Sequence, residues 1–231
     1  MRQECCVPEF SDEAEAAREA KRKTRVDLLA RRRTLPGPTR AAAAGRVQAE
    51  LVTLVRRLRP HRMTAYVPVG SEPGGADLPE VLRAALPADA ELLLPVLRDD
   101  LDLDWAAYTG PDALVAAGRG IREPVGPRLG VDAVARAELV VVPALAVDLR
   151  GRRLGRGGGS YDRALARVPT TALTVVPLHD GELVETIPAE AHDLPVRAVV
   201  TPADGVRTLD DGPGRAHGVA PHTSAGRTRG E

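Results

Sequence analysis

The segment Leu139-Val-Val-Val-Pro-Ala-Leu-Ala-Val-Asp-Leu-Arg-Gly-Arg-Arg-Leu-Gly-Arg-Gly-Gly-Gly-Ser-Tyr-Asp162 joins a short aliphatic run to a glycine-rich loop and the start of a helix. Its first four residues, Leu139 to Val142, have no polar alternation and stop at Pro143. A run of this kind reads as a strand buried on both faces, the mark of a parallel sheet. Met63 to Val69, Glu91 to Leu97, Ala172 to Val176 and Ala198 to Thr201 have the same character, each bounded by Pro, Gly or charge. Helical stretches fall between them at Asp77 to Leu86, Val131 to Arg136 and Tyr161 to Arg167. Two more precede them. One runs from Glu13 to Leu35, and the other from about Thr39 to Leu58 with Ala44, Val47, Leu51, Leu54 and Leu58 on one face. Alternating strand and helix predicts a single three-layer α/β/α domain with a mostly parallel sheet and a helical N-terminus. In such sheets ligands bind at the carboxyl ends of the strands, here the loops after Val69, Leu97 and Val142. The boundaries expected are a disordered leader at 1–14, the domain at 15–205 and a disordered tail at 206–231, since both ends lack hydrophobic periodicity.

Thirty-two basic and 32 acidic residues cancel, so no net field draws the 231-residue chain to nucleic acid. Five aromatics, Phe10, Tyr66, Trp105, Tyr108 and Tyr161, are too few for base-stacking platforms, and Trp105 and Tyr108 read as core fillers. The longest apolar run, Leu139 to Val147, is nine residues against the roughly 20 that a bilayer needs, so no membrane span is expected. No signal peptide is legible, and the expectation is a cytoplasmic protein. Cys5 and Cys6 are adjacent and give neither a disulfide framework nor a zinc site. Two lysines stand against 30 arginines, a bias that leaves Arg31-Arg32-Arg33 readable as a solvated helix face.

The glycine loop is the richest chemical signal. Glycines at four of the five positions from 155 to 159 let backbone amides turn toward one anion, and a helix follows directly. Arg152, Arg153 and Arg156 add guanidinium forks suited to phosphate or carboxylate. No P-loop ending is present, and a dinucleotide fingerprint begun at Gly155 meets Ser160 where its third glycine belongs. The plainer reading is a turn before a helix whose first-turn acid, Asp162, balances the dipole.

Arg153-Leu-Gly-Arg-Gly-Gly-Gly-Ser-Tyr-Asp162, preceded by Val141-Val-Pro-Ala-Leu-Ala-Val-Asp148, resembles the signature of the 5-formyltetrahydrofolate cyclo-ligases. Four further stretches resemble the family in its own order: Lys21-Arg-Lys-Thr-Arg25 with Leu28, Leu29 and Arg33; Ala65-Tyr-Val-Pro-Val-Gly-Ser-Glu72; Gly120-Ile-Arg-Glu-Pro124; and Ile187-Pro, His192-Asp193 and Val199-Val-Thr-Pro202. The resemblance implies ATP-driven closure of 5-formyltetrahydrofolate to 5,10-methenyltetrahydrofolate, with release of ADP and phosphate. It implies ATP contacts at Lys21, Arg25, Arg153, Leu154, Gly155, Arg156, Gly157, Gly158, Gly159, Ser160 and Tyr161, with Lys21 and Arg156 acting in catalysis. It places the reduced folate against Val67, Glu72, Arg156 and Ser160, and magnesium at Asp162 and Asp193. Lys21 and Arg25 are four apart and share a helix face, where two like charges gain from an anion between them. Asp162 also fits as a cap, and His192 reads as structural.

The chain departs from the family at Ser160, where an aromatic is usual, at Arg119, often aromatic, and at Arg197, often Asp. These positions motivate two other readings, a non-catalytic nucleotide- or folate-binding paralog and an ATP-dependent enzyme acting on another formylated substrate. A monomer is expected.

Overall fold

A computed structural model describes residues 10–188 and 194–209. In chain order its elements are α1 (Phe10–Thr34), α2 (Gly37–Leu58), β1 (Arg62–Thr64), α3 (Leu78–Ala85), β2 (Glu91–Leu97), β3 (Leu103–Ala107), β4 (Leu114–Ala117), β5 (Ile121–Pro124), β6 (Leu139–Val141), β7 (Ala146–Asp148), β8 (Arg153–Leu154), α4 (Ser160–Leu165), β9 (Leu173–Pro177), β10 (Leu183–Val184), β11 (Ala198–Thr201) and β12 (Gly205–Thr208). The main sheet has seven strands in the order β12-β11-β9-β6-β1-β2-β3. Its five central strands are mutually parallel, and an antiparallel strand closes each edge.

Side chains along the central strands alternate between two cores. Leu92, Leu94, Leu139, Val141, Ala198 and Val200 pack under Val47, Leu51 and Leu54 of α2 and Leu78 and Leu82 of α3. Leu93, Val140, Val142, Val176 and Val199 point the other way, against Ala133 and Val134 of the 3₁₀ turn Val131–Arg136 and Ala164 and Leu165 of α4. These are the three layers, and burial on both faces explains why the strands read as unbroken apolar runs. Trp105 and Tyr108 fill the core as expected. A smaller sheet, β10-β7-β8, lies under α1, where Leu28 meets Leu145, Ala146, Leu154 and Ile187.

Several boundaries move. The strand expected over 63–69 pairs only to Thr64, after which Ala65 makes one more bond to the Leu93 carbonyl. Pro68 has no N–H to give, and Gly70, at φ +63, turns the chain away to form a cleft wall. The 131–136 helix is 3₁₀ rather than α, and α4 stops at Leu165. On α2, Val55 rather than Leu58 completes the buried face. At the ends, α1 opens at Phe10, and β12 carries the fold past residue 205 because it pairs with all four residues of β11. Residues 1–9, 189–193 and 210–231 lie outside the described residues, and with them most of the leader and tail.

Candidate active site

A cleft of about 640 Å³ opens at the carboxyl ends of β1, β2 and β6, under α1. One wall is cationic. Lys21, only 5% exposed, and Arg25 descend from the inward face of α1. Arg25 Nε donates to the Gly155 carbonyl at 2.9 Å, and a Cβ at Gly157 would sit 3.7 Å from its Cζ. Gly157 and Gly159 have φ of +99 and +69, the region where a side chain is strained. Arg153 is buried, pairs with Asp162 and lies 5.9 Å from the Tyr161 ring centroid, so it stiffens the loop from beneath. Because α4 is a six-residue helix, its dipole contributes little, and the side chains supply most of the positive potential.

The facing wall is largely apolar, with Glu72 at one point and Arg122 and Glu123 beside Ile121 at another. Glu72 Oε1 lies 3.0 Å from Arg156 Nη2, and its Oε2 accepts the Val69 N–H at 2.8 Å. Val67, Val69, Pro95, Leu97, Leu103 and Ile121 complete this wall. The Tyr66 and Tyr161 phenols are both pushed upward, first by burial and then by the Glu72 charge, so each remains a donor at any working pH. Tyr66 Oη donates to the Pro73 carbonyl at 3.1 Å.

Lys21, Arg25, Val67, Glu72, every residue from Arg153 to Tyr161, and Asp162 line this one cleft. Asp193 and His192 fall outside the described residues, as does the side chain of Arg119. Arg152 is not in the cleft: Asp148 Oδ2 accepts from its Nε at 2.6 Å and Thr186 from its Nη2 at 2.8 Å. Asp148, fully buried, also takes the N–H groups of Arg150, Arg152 and Ile187, which shapes the approach to the glycines. Arg197 is outside the cleft too, since it donates to the Thr170 and Ala172 carbonyls at the opposite end of β9. Its departure from the family pattern therefore does not bear on the cleft.

Arg32 corrects the reading of the arginine run. It is buried against Glu182, because α1 rolls this position onto the loop after β6. Spacing carried the signal: Lys21, Arg25, Leu28 and Arg32 recur at intervals of three and four. The apolar wall gave less, as Leu97, Leu103 and Ile121 come from separate segments.

Among the described residues, three carboxylates reach the cleft, Glu72, Glu123 and Asp162. Glu123 Oε1 accepts the Leu97 N–H at 2.9 Å, and among the described residues no three metal-ligating side chains cluster. That donor set fits magnesium, which takes one or two carboxylates and fills its shell with phosphate and water.

The fold and cleft define an α/β protein with a cationic glycine loop facing a largely apolar wall, an arrangement suited to an anionic ligand. The chain belongs to the 5-formyltetrahydrofolate cyclo-ligase family, whose profile matches residues 17–202. It is 42% identical over 195 residues to the 5-formyltetrahydrofolate cyclo-ligase of Mycolicibacterium smegmatis, covering 82% of this chain and 97% of that one. The Escherichia coli enzyme of the same name is 30% identical over 176 residues, covering 75% and 95%. Among solved structures, the Aquifex aeolicus 5,10-methenyltetrahydrofolate synthetase superimposes with a TM-score of 0.70 at 31% identity, over 85% of this chain and 96% of that one. The synthetase from Mycoplasma pneumoniae, at 15% identity and TM-score 0.63 over 79% and 98%, shows the shared fold.

Proposed function

We propose that the protein converts 5-formyltetrahydrofolate to 5,10-methenyltetrahydrofolate, driven by cleavage of ATP to ADP and phosphate. The observation that carries this reading is the pairing of walls: Lys21, Arg25 and the 155–159 loop on one side, Glu72 and the apolar residues on the other. A formamide is a poor electrophile. In the proposed reaction its oxygen attacks the γ-phosphorus and ADP leaves. The folate N10 then attacks the activated carbon, its proton departs, and the C–O bond breaks to release phosphate and leave the methenyl cation. Positioning and charge neutralisation supply most of such catalysis.

In this reading Lys21 and Arg156 face the transferring phosphoryl group. Arg25, Arg153, Leu154, Gly155, Gly157, Gly158, Gly159, Ser160 and Tyr161 cradle the nucleotide. Glu72 accepts donors of the pterin, with Val67 and Ser160 against the ring. Asp162 would hold magnesium, which when bound neutralises phosphate charge. No helix among the described residues is long and apolar enough to cross a membrane, and we assign the activity to a single chain in the cytoplasm.

The test is to incubate purified protein with ATP, magnesium and 5-formyltetrahydrofolate and follow the near-ultraviolet absorbance of the methenyl product. Product is expected only when all three are present. Nucleotide binding without product would favour the non-catalytic paralog, and turnover of another formylated compound would favour a changed substrate.

A further inference from the structure

Behind the cleft, α1, the loop after β6 and the loop that carries Glu72 converge on a buried polar cluster. Arg32 of α1 is 1% exposed, and its Nε and Nη2 donate to the two oxygens of Glu182 at 2.7 and 2.8 Å. Its Nη2 also donates at 2.7 Å to the carbonyl of Ala144, a cleft residue. Glu182, 4% exposed in the turn before β10, accepts the His179 N–H at 2.8 Å. The His179 side chain is buried, with Nε2 2.9 Å from the Ser71 carbonyl. A carbonyl only accepts, so this nitrogen carries the proton.

Ser71 immediately precedes Glu72, and the carbonyl of Pro73, on its other side, is held by Tyr66. Both carbonyls flanking the Glu72 residue are therefore fixed, one of them through His179. On α1, Arg32 follows Lys21 by eleven residues, about three turns, so it lies on the same face. Attraction within a buried ion pair is largely offset by desolvation, so net stability does not account for the cluster.

We propose that Glu182 is a positioning residue that locks the cationic face of α1 and the Glu72 loop into one frame, directly through Arg32 and, by way of His179, through the Ser71 carbonyl. The Arg32 arm sets the height of Lys21 and Arg25 over the glycine loop. The His179 arm sets Glu72. The proposal rests on the cyclisation reading for the identity of the two ligands, but its geometry does not.

The test uses full-length Glu182→Gln and His179→Phe proteins, checked for folding by thermal melting. Steady-state kinetics are combined with calorimetric titration of a non-hydrolysable ATP analogue and of 5-formyltetrahydrofolate, and with amide exchange at Ser71 and Glu72. Glu182→Gln is expected to raise KM for both substrates about tenfold with a smaller change in kcat. His179→Phe keeps the Arg32 pair and is expected to raise KM for the folate several-fold, leave that for ATP unchanged, and quicken exchange at Glu72. A folded Glu182→Gln protein with unchanged affinities would overturn the proposal. So would a His179→Phe protein with unchanged exchange, or one that shifts both affinities equally; that variant decides alone if the other does not fold. Wild-type protein that makes no methenyl product, while exchange still quickens in His179→Phe, would overturn the cyclisation reading and leave the positioning role standing.

Discussion

The two walls of the cleft are built in opposite ways. The cationic wall is nearly contiguous in sequence, with ten residues from Arg153 to Asp162 joined only by one helix that carries Lys21 and Arg25. Its charges are braced by one another, Arg153 by Asp162 and Arg25 by the Gly155 carbonyl. The apolar wall is assembled from the segment after β1, the end of β2, the start of β3 and the β5 hairpin, and is braced both by Glu72 and Glu123 within the cleft and by arginines outside it. Asp102, between the cleft residues Leu101 and Leu103, is gripped by Arg167 at 2.6 and 3.0 Å, and Arg163 holds the Leu101 carbonyl at 2.6 Å. A compact motif can thus fix the charge of a site while scattered packing fixes its shape. The first should fail sharply on single substitutions and the second by degrees.

The largest effect is expected on the charged side. Lys21→Ala should lower kcat/KM for ATP by roughly a hundredfold, the cost typical of removing one group that stabilises developing charge. Folate binding, read by titration, should change little. Lys23→Ala, exposed and about 200° around α1 from Lys21, should match wild type. Equal defects in the two would dissolve the distinction between the walls.

Next in size is the outer brace. The hydrogen bonds from Arg167 hold the Asp102 carboxyl below the usual carboxylate range. A folded-state pKa lowered in this way contributes stability that is present above the unfolded value of about 4 and lost as pH falls through the folded one. Asp102→Asn should therefore destabilise by about 1–2 kcal/mol near neutral pH. Melting curves taken from pH 7 downward should show that gap narrowing as pH falls below the unfolded value. A gap that stays constant would exclude the ion pair as its cause.

Ile121→Ala tests the apolar wall itself. Trimming three carbons from a partly exposed contact should raise KM for the folate several-fold, on the order of 1 kcal/mol, and leave the value for ATP in place. The smallest effect belongs to Ser160→Tyr, on the cationic wall at the start of α4. Added ring area should lower KM for the folate a few-fold, consistent with about 1 kcal/mol at most, with kcat nearly constant. Lost activity would mean that the cleft is shaped around the small serine.

The same contrast explains what the sequence makes legible. Layer order and the parallel sheet are readable because aliphatic runs such as Leu139 to Val142 are buried on both faces. The cationic wall is readable because the glycine loop's chemistry and spacing survive without tertiary information. Val67 and Glu72 enter through the family resemblance, whereas Leu97, Leu103 and Ile121 carry no local mark, because their shared function arises only from juxtaposition. Composition misleads at Arg32, since a chain that uses arginine almost wholesale hides a buried guanidinium inside a surface-like run. Arg152 misleads for the opposite reason, standing in the motif while its charge is consumed by Asp148.

The two walls exist, on this account, to bring the γ-phosphorus of ATP to the formyl oxygen of the folate. That transfer can be followed by supplying 5-formyltetrahydrofolate labelled with oxygen-18 in the formyl group and weighing the phosphate released during turnover. One labelled oxygen in each phosphate, formed in step with methenyl product and ADP, is the predicted result. Unlabelled phosphate accompanied by labelled water or formate would show that ATP is hydrolysed without activating the formyl group, and would contradict it.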